Sequence, residues 1–524
     1  MEVTLRQRVV PVVWLPGLVL YAGCGIRGAE YAVRNGLKLV AQVEPSDFHW
    51  AVRRIWGRKL LRQATHGLLN TYPDFSARCR ITPAQILAFL LLVGCFAASL
   101  ALLPLTAVWA FANAVVGLFF LSIVALRLFS VLPLGPVRKP HVLSLSDAEL
   151  PIYSVLVPVF RETAVLKQLL RALLNLRYPV NKLDIKIIVE EADTTMRRAL
   201  ERFDLPPHFE IIVVPQGKPQ TKPRALNYAL QFSRGTLLTI YDAEDIPEPN
   251  QLRVAAQRFS QADRKLACVQ AQLVFFNSNE NWLTRQFTAE YATLFGLILP
   301  ALAAYGLPLP LGGTSNHFRT DILRRVGGWD PHNVTEDADL GLRLARFGFH
   351  TAIIESLTYE EANTQFFNWM KQRARWLKGF MQTWLVHVRD PVKMTRDLGP
   401  AGFWVLQTCT AGIFVSALFH PLLLVFMLGE FILDPLPSAD ETFLRSVLEA
   451  LNLLVFATGY GVAIVAANLG LQRRGFRGWW LTLFTMPVYW LLMSGAAWIA
   501  VWQFSFSPFT WNKTEHGLTK IKVN

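Results

Sequence analysis

Two nearly unbroken apolar stretches, residues 84–103 and 107–131, constrain this chain more than any other feature of it. Each is close to the ~20 residues that carry a helix across the hydrocarbon core of a bilayer. In lipid the backbone has to satisfy its own N–H and C=O groups, so a single run of this kind folds as a helix. Residues 403–428 and 447–469 have the same character, and residues 479–504 form either a last span or an interfacial element broken near Pro487. Composition agrees: 52% of the 524 residues are hydrophobic and 17% charged, with a mean hydropathy of +0.30. Such a chain needs lipid for part of its apolar surface. The one charge in the second run, Arg127, lies close enough to its end to snorkel.

Charge sets the orientation. Fifty-two Lys and Arg against 38 Asp and Glu give a net +14. The aromatic residues sit largely in apolar runs rather than among the basic ones, which argues against a nucleic-acid partner and for the positive side of a membrane. The loop between the last two clear spans carries Glu430, Asp434, Asp440 and Glu441, whereas Arg473, Arg474 and Arg477 follow the second of them. That asymmetry predicts that the domain between the two hairpins is cytosolic. Arg6 and Arg8 before the apolar residues 9–22 faintly mimic a lipoprotein signal ending at Cys24, but Pro11 and Pro16 interrupt it. Five scattered cysteines, Cys24, Cys79, Cys95, Cys268 and Cys409, show no paired spacing and suit a reducing compartment.

The expected organisation follows. Residues 1–83 read as a small helical cytosolic domain, 84–132 as a transmembrane hairpin, and 133–150 as a Pro- and Gly-bearing linker. Residues 147–363 form an α/β domain, 364–398 an interfacial amphipathic helix, 399–470 a second hairpin, and 471–524 a terminal membrane or interfacial segment with a cytosolic tail. Within the α/β domain, strands are predicted at 153–160, 184–190, 209–214, 236–241 and 267–273, with helices such as 164–176 between. Near-continuous apolar strands alternating with helices predict a mainly parallel sheet covered on both faces. Ligands of such sheets bind beyond the carboxyl ends of the strands.

Three short motifs fall where that rule would use them. Asp242-Ala243-Glu244-Asp245 ends a predicted strand, and acids so spaced can reach one hard divalent cation, although an acidic turn before Pro247 would read the same. Thr335-Glu336-Asp337 precedes a helical pattern and could equally be a capping box. Gln372-Arg373-Ala374-Arg375-Trp376 lies in an amphipathic run, 365–388. There Gln372, Arg375 and Trp376 share a face at i, i+3 and i+4, offering an amide, a guanidinium for phosphate and a ring for a sugar. The plain alternative is an interfacial helix with snorkelling bases.

In this order and spacing the three motifs resemble the series shared by processive family 2 membrane glycosyltransferases, such as bacterial cellulose synthase, hyaluronan synthase and related exopolysaccharide synthases. The resemblance covers roughly residues 154–383. It implies a GT-A (Rossmann-like α/β) fold flanked by transmembrane helices, a UDP-sugar donor, Mg²⁺ or Mn²⁺, and inverting transfer to a growing polysaccharide. It places Asp242 and Glu244 at the metal, with Asp245 as a further candidate, and Asp337 as general base. Gln372, Arg373, Arg375 and Trp376 take the motif that holds the diphosphate and the terminal acceptor sugar. For the uridine it points to the stretch 189–193, with Asp193 first and Glu191 second. Lys222, opening Lys222-Pro223-Arg224-Ala225-Leu226-Asn227, resembles the basic helix start near the phosphates. Residues 312–317 resemble the acceptor-side segment, where His317 could equally be structural. Residues 509–517 resemble the tail motif that closes over the nucleotide, with Thr514 near the diphosphate. A glycan or lipid-linked acceptor, the bilayer, and an export partner or oligomer are the implied partners. Single-sugar transfer to a lipid, or a non-catalytic scaffold retaining the domain, are the alternatives.

Overall fold

The computed structural model describes residues 7–15, 18–132, 145–433, 443–509 and 517–519. Its centre is an eight-stranded sheet. In chain order the strands are β4 (Tyr153–Val159), β5 (Leu183–Glu190), β6 (Phe209–Val214), β7 (Leu237–Ile240), β8 (Ile246–Pro247), β9 (Leu266–Phe275), β10 (Asn316–Arg319) and β11 (His350–Glu360), following three strands near the N-terminus. The spatial order is β6-β5-β4-β7-β10-β9-β11-β8. β6, β5, β4 and β7 run parallel, β10 is antiparallel to both its neighbours, and β9 and β11 are again parallel. The sheet is thus mixed and mostly parallel, and both its faces are covered by apolar cores.

Full cover makes demands on the polar residues that strands carry. All eight residues of β5 are buried, Asp184, Lys186 and Glu190 among them. Buried charge has to be paired: Lys186 lies 2.8 Å from Asp184 and 2.6 Å from Glu210 on β6, and Glu190 is held by Arg224.

The first 80 residues include strands as well as helices, and they do not stand apart from the α/β domain. β1 (Val9–Leu15), β2 (Leu18–Cys24) and β3 (Lys38–Val43) form a small sheet, followed by a long helix, Pro45–Thr71. Val10, Phe48, Val52, Leu60 and Ala64 from this part enter the same core as Leu156, Ile188 and Ile240 of the large sheet. The helical reading misses the small sheet because its strands are short and Pro11 interrupts the first of them.

Four helices are long and apolar enough to cross a membrane, Pro83–Leu102, Ala110–Val131, Trp282–Ala304 and Ala450–Arg473. No residue of Pro83–Leu102 is buried, so its Leu and Phe side chains need a hydrocarbon solvent. Trp282–Ala304 is over half buried and packs between the sheet and the membrane helices, a position hidden from a reading of apolar runs alone. The run 403–428 is not one helix. Pro391–Cys409 and Ala411–Val425 meet at 44°, so the pair counts as a fifth candidate span only if taken together. The terminal segment is also broken, at Thr485, into Trp480–Phe484 and Met486–Phe506.

Candidate active site

Beyond the carboxyl ends of the parallel strands lies a cavity of about 470 Å³. Asp242, Glu244, Asp337, Glu360, Arg375 and Trp376 are among the residues that line it, so the three motifs, up to 134 residues apart in sequence (242 to 376), share one chamber. One glycine makes the convergence possible. A Cβ on Gly379, in the helix Phe366–His387, would lie 2.4 Å from Thr335 Cγ2; without one, that helix rests directly on the turn that presents Asp337.

The 242–245 turn follows β7 and is braced from within. Asp245 is 1% exposed, and its Oδ2 accepts the Asp242 N–H at 2.6 Å and the Thr314 hydroxyl. Asp245, the further metal candidate, does not line the cavity: its Oδ2 shapes the turn, and its buried Oδ1 meets no hydrogen-bond partner. Asp242 and Glu244 remain on the cavity wall. Among the described residues no three His, Cys, Asp or Glu side chains converge as a self-sufficient metal site. Two carboxylates are nonetheless a fitting protein share for Mg²⁺ or Mn²⁺, which usually completes its shell with water and substrate phosphate oxygens.

The cavity is crowded with acids held out of water. Burial, then repulsion from Asp242, pushes Glu244 up to about 7. Burial, then Asp337, pushes Glu336 up to about 8. Glu360 is raised well above the carboxylate range by burial and by Asp245 and Glu244. Asp337 is raised by burial, with the Ala338 N–H and Lys222 opposing. So much desolvated negative charge calls for cations. The chain supplies two: Lys222 pairs with Asp242 and donates to the Gly313 carbonyl at 2.9 Å, and Arg375 lies in the field of Glu336 and Asp337.

The other expected residues are placed as follows. Gln372 lines the cavity with its Oε1 accepting from Asn363 at 2.8 Å, and Trp376 stacks with Tyr291 at 25° and 6.5 Å between centroids. Arg373 also lines the cavity, but all of its guanidinium except Nε is engaged within the protein. Its guanidinium forks onto Glu290 at 2.7 and 2.8 Å, donates to the Tyr489 hydroxyl at 2.8 Å, and lies 4.1 Å from the Phe287 ring centroid. Two residues before Arg375 it projects from a different side of the helix, so it anchors that helix to its neighbours instead of being free to grip a diphosphate.

Of the stretch 189–193, the residues expected at the uridine lie as follows. Asp193 spends its carboxylate on the Met196 N–H at 3.1 Å and the Arg161 N–H at 2.6 Å, and Glu191 accepts from the Gln216 N–H at 3.1 Å; neither lines the cavity. Glu190 does, held by the fully buried Arg224 at 2.6 and 2.8 Å. Its place as the last residue of β5 was the available signal. His317 is buried between Tyr153 at 2.7 Å and Gln251 at 3.2 Å, and burial pushes it down to about 3, so it is a neutral core group.

Thr514 lies outside the described residues, but the chain on either side is fixed. Before it, Lys378 and Gln382 donate to the carbonyls of Ser507 and Pro508 at 3.4 and 3.0 Å. After it, the N–H groups of Gly517, Leu518 and Thr519 converge on the Glu361 carboxylate at 2.5, 2.8 and 2.7 Å. Glu361 lines the cavity, so the C-terminal tail is tied to its wall.

A mostly parallel α/β sheet, with acids, a basic helix start and a stacking tryptophan gathered at its carboxyl edge, defines a glycosyltransferase of GT-A-like fold. Residues 151–379 match the family described as Glycosyltransferase like family 2, and the chain is an enzyme of the hexosyltransferase class. Among similar proteins is the probable glycosyltransferase YdaM of Bacillus subtilis, 24% identical over 66% of this chain and 81% of that protein. A beta-monoglucosyldiacylglycerol synthase of Trichormus variabilis is 28% identical over 54% of this chain and 62% of its own length. Cellulose synthase 2 of Novacetimonas hansenii is 26% identical over 54% of this chain but only 17% of that protein.

Proposed function

We propose that the chain transfers a hexose from a UDP-sugar, with inversion, to a hydroxyl that reaches the cavity from the membrane side. One observation carries this reading: Asp242, Glu244, Asp337, Arg375 and Trp376 line one chamber at the carboxyl ends of the strands. Asp337 takes the proton of the acceptor hydroxyl as its oxygen attacks the anomeric carbon, and the bond from that carbon to the diphosphate breaks. A positioned base is worth ~10²–10⁴-fold. Lys222 and Arg375 meet the charge developing on the leaving diphosphate. Trp376 offers its ring to the acceptor sugar or head group, and Glu190 with Arg224 borders the nucleoside end. Mg²⁺ or Mn²⁺ held by Asp242 and Glu244 would neutralise the diphosphate when bound.

The basic residues at helix ends favour a cytosolic domain in a bacterial inner membrane, where UDP-sugars are available. Two acceptors agree with a membrane-side approach. A growing glycan is the reading of the motif series, and the Novacetimonas relative is a cellulose synthase. A lipid is the alternative, and the Trichormus relative is a glycolipid synthase by name. The test is UDP release by purified full-length protein across a panel of UDP-hexoses, with Mn²⁺ and with chelator. Metal-dependent release with at least one donor is expected. No release with any donor in the presence of Mn²⁺ and native membrane lipid would refute the reading.

A further inference from the structure

Arg127 lies one turn from the end of the helix Leu105–Val131, where a long basic side chain ordinarily reaches out to the head groups. Here it turns inward. Its guanidinium stands 5.3 Å from the ring centroid of Trp490, and both residues line a second cavity of about 340 Å³ among the membrane helices. The walls of that cavity are chiefly hydrocarbon, including Ile123, Ile413 and Met493. The acid on the same wall, Glu290, attracts Arg127 through its charge, but its oxygens are engaged by Arg373 and Tyr489, and among the described residues no carboxylate forms an ion pair with Arg127. A cation held in such a place is costly unless an anion joins it, which makes an intramembrane arginine a marker of function.

The two cavities adjoin. Glu290, Leu294, Phe295, Gly312, Ile413 and Met493 are among the residues that line both. Gly313, next in the chain, lies beside the base: a Cβ built on it would stand 3.2 Å from Asp337 Oδ2. A hydroxyl-rich glucan in the second cavity would bury many polar groups against walls offering few partners, which is unfavourable. A hydrocarbon tail would not.

We infer that the second cavity is the acceptor site, and that its occupant is a membrane lipid with a phosphate-bearing head group. The tail lies among Ile123, Val455 and Phe456, the phosphate meets Arg127, and a head-group hydroxyl passes the shared wall at Gly312, Ile413 and Met493 toward Asp337. This rests on the transferase reading of the first cavity. There the hydroxyl oxygen bonds to the anomeric carbon, its proton goes to Asp337, and UDP leaves with the electron pair of the broken bond.

The test uses the full chain in phosphatidylcholine nanodiscs, with photoreactive acyl chains on phosphatidylglycerol or on neutral diacylglycerol. Phosphatidylglycerol is expected to label the side chains near Val455 and Phe456, which line the second cavity and not the first. Exchange for diacylglycerol, or Arg127→Gln, lowers that labelling by about tenfold or more, the scale of losing a desolvated charge partner, while Arg127→Lys retains it. Val455→Trp fills the second cavity without touching Arg127 or the first cavity and removes the labelling, which keeps the proposal testable if Arg127→Gln does not fold. Equal labelling by the two probes overturns the phosphate site. Hexose from a labelled donor is expected in the chloroform extract; label confined to a water-soluble polymer overturns the lipid as acceptor. UDP release by the wild type is scored separately: labelling without release sinks the transferase reading, and release with unselective labelling sinks only the lipid site.

Discussion

Replacing Glu290 by Gln tests whether Arg373 supports the catalytic helix or grips the substrate. In the wild type the Glu290 carboxylate accepts two hydrogen bonds from Arg373 at 2.7 and 2.8 Å and one from Tyr489 at 2.7 Å. Arg373 is 3% exposed and Glu290 36%. Breaking a fully buried pair costs ~3–5 kcal/mol. Exposure of Glu290 to the cavity screens part of this, and the rings of Phe287 and Trp376, at 4.1 and 4.9 Å from the guanidinium, retain part of the attraction. The expected loss is therefore ~1–3 kcal/mol. Trp376 packs on the same aromatic cluster, so the variant also shifts the acceptor platform, and misplacement of about 1 Å costs ~10²-fold in rate. Thermal unfolding in detergent, UDP affinity and kcat/KM for donor turnover measure the three consequences. A lower Tm, a UDP Kd close to wild type and kcat/KM reduced roughly 10–100-fold are expected. Arg373→Met should cost less in the Glu290→Gln background than alone. Wild-type stability and turnover in Glu290→Gln, or loss of UDP binding in Arg373→Met alone, would refute the anchoring role.

Other consequences follow from individual groups. Glu190→Gln leaves the guanidinium of Arg224 buried beside a neutral partner, so both Tm and UDP affinity should fall; an unchanged UDP Kd in isothermal titration would remove Glu190 from the nucleotide site. Glu244 and Glu336 are held at about 7 and about 8, above the ordinary 4.5, so the folded state binds their protons more tightly than the unfolded chain. Their contribution to stability is full below about pH 4.5 and disappears as pH rises through 7 to 8. In chelator the Tm should decline over that window and Mn²⁺ should reduce the decline; a Tm that climbs with pH would contradict this. Glu361→Gln weakens the anchor of residues 517–519, and faster proteolysis of the tail together with a raised donor KM is expected; a protease pattern identical to wild type would show that the tail is held elsewhere.

Much of this was legible in the sequence because period and length are local. β5 and β6 fall where near-continuous apolar runs put them, and the helix Phe366–His387 matches its amphipathic stretch to within a residue at each end. The short strands β8 and β10 and the buried helix Trp282–Ala304 escaped, since their places are set by neighbours far away in the chain. The site divides the same way. Motif order brought Asp242, Asp337 and Trp376 to one cavity, but a motif does not say which of its side chains turn inward. Asp245 faces the core because Thr314 and the Asp242 N–H meet it there, and Arg373 is claimed by Glu290, 83 residues earlier. Glu190 lines the cavity where Asp193 does not, as its place at the end of the predicted strand 184–190 could have indicated. Arg127 is the clearest case: from sequence it snorkels, whereas the packed helices turn it onto Trp490.

The measurement closest to the central claim is a single-turnover assay on Asp337→Asn with saturating UDP-hexose, metal and membrane acceptor. Asparagine keeps the shape of the side chain but cannot take a proton at neutral pH. The donor Kd should stay within about threefold of wild type, while the transfer rate drops ~10²–10⁴-fold. Transfer at the wild-type rate would show that another group removes the proton and that the convergence of the three motifs on this cavity has been misread.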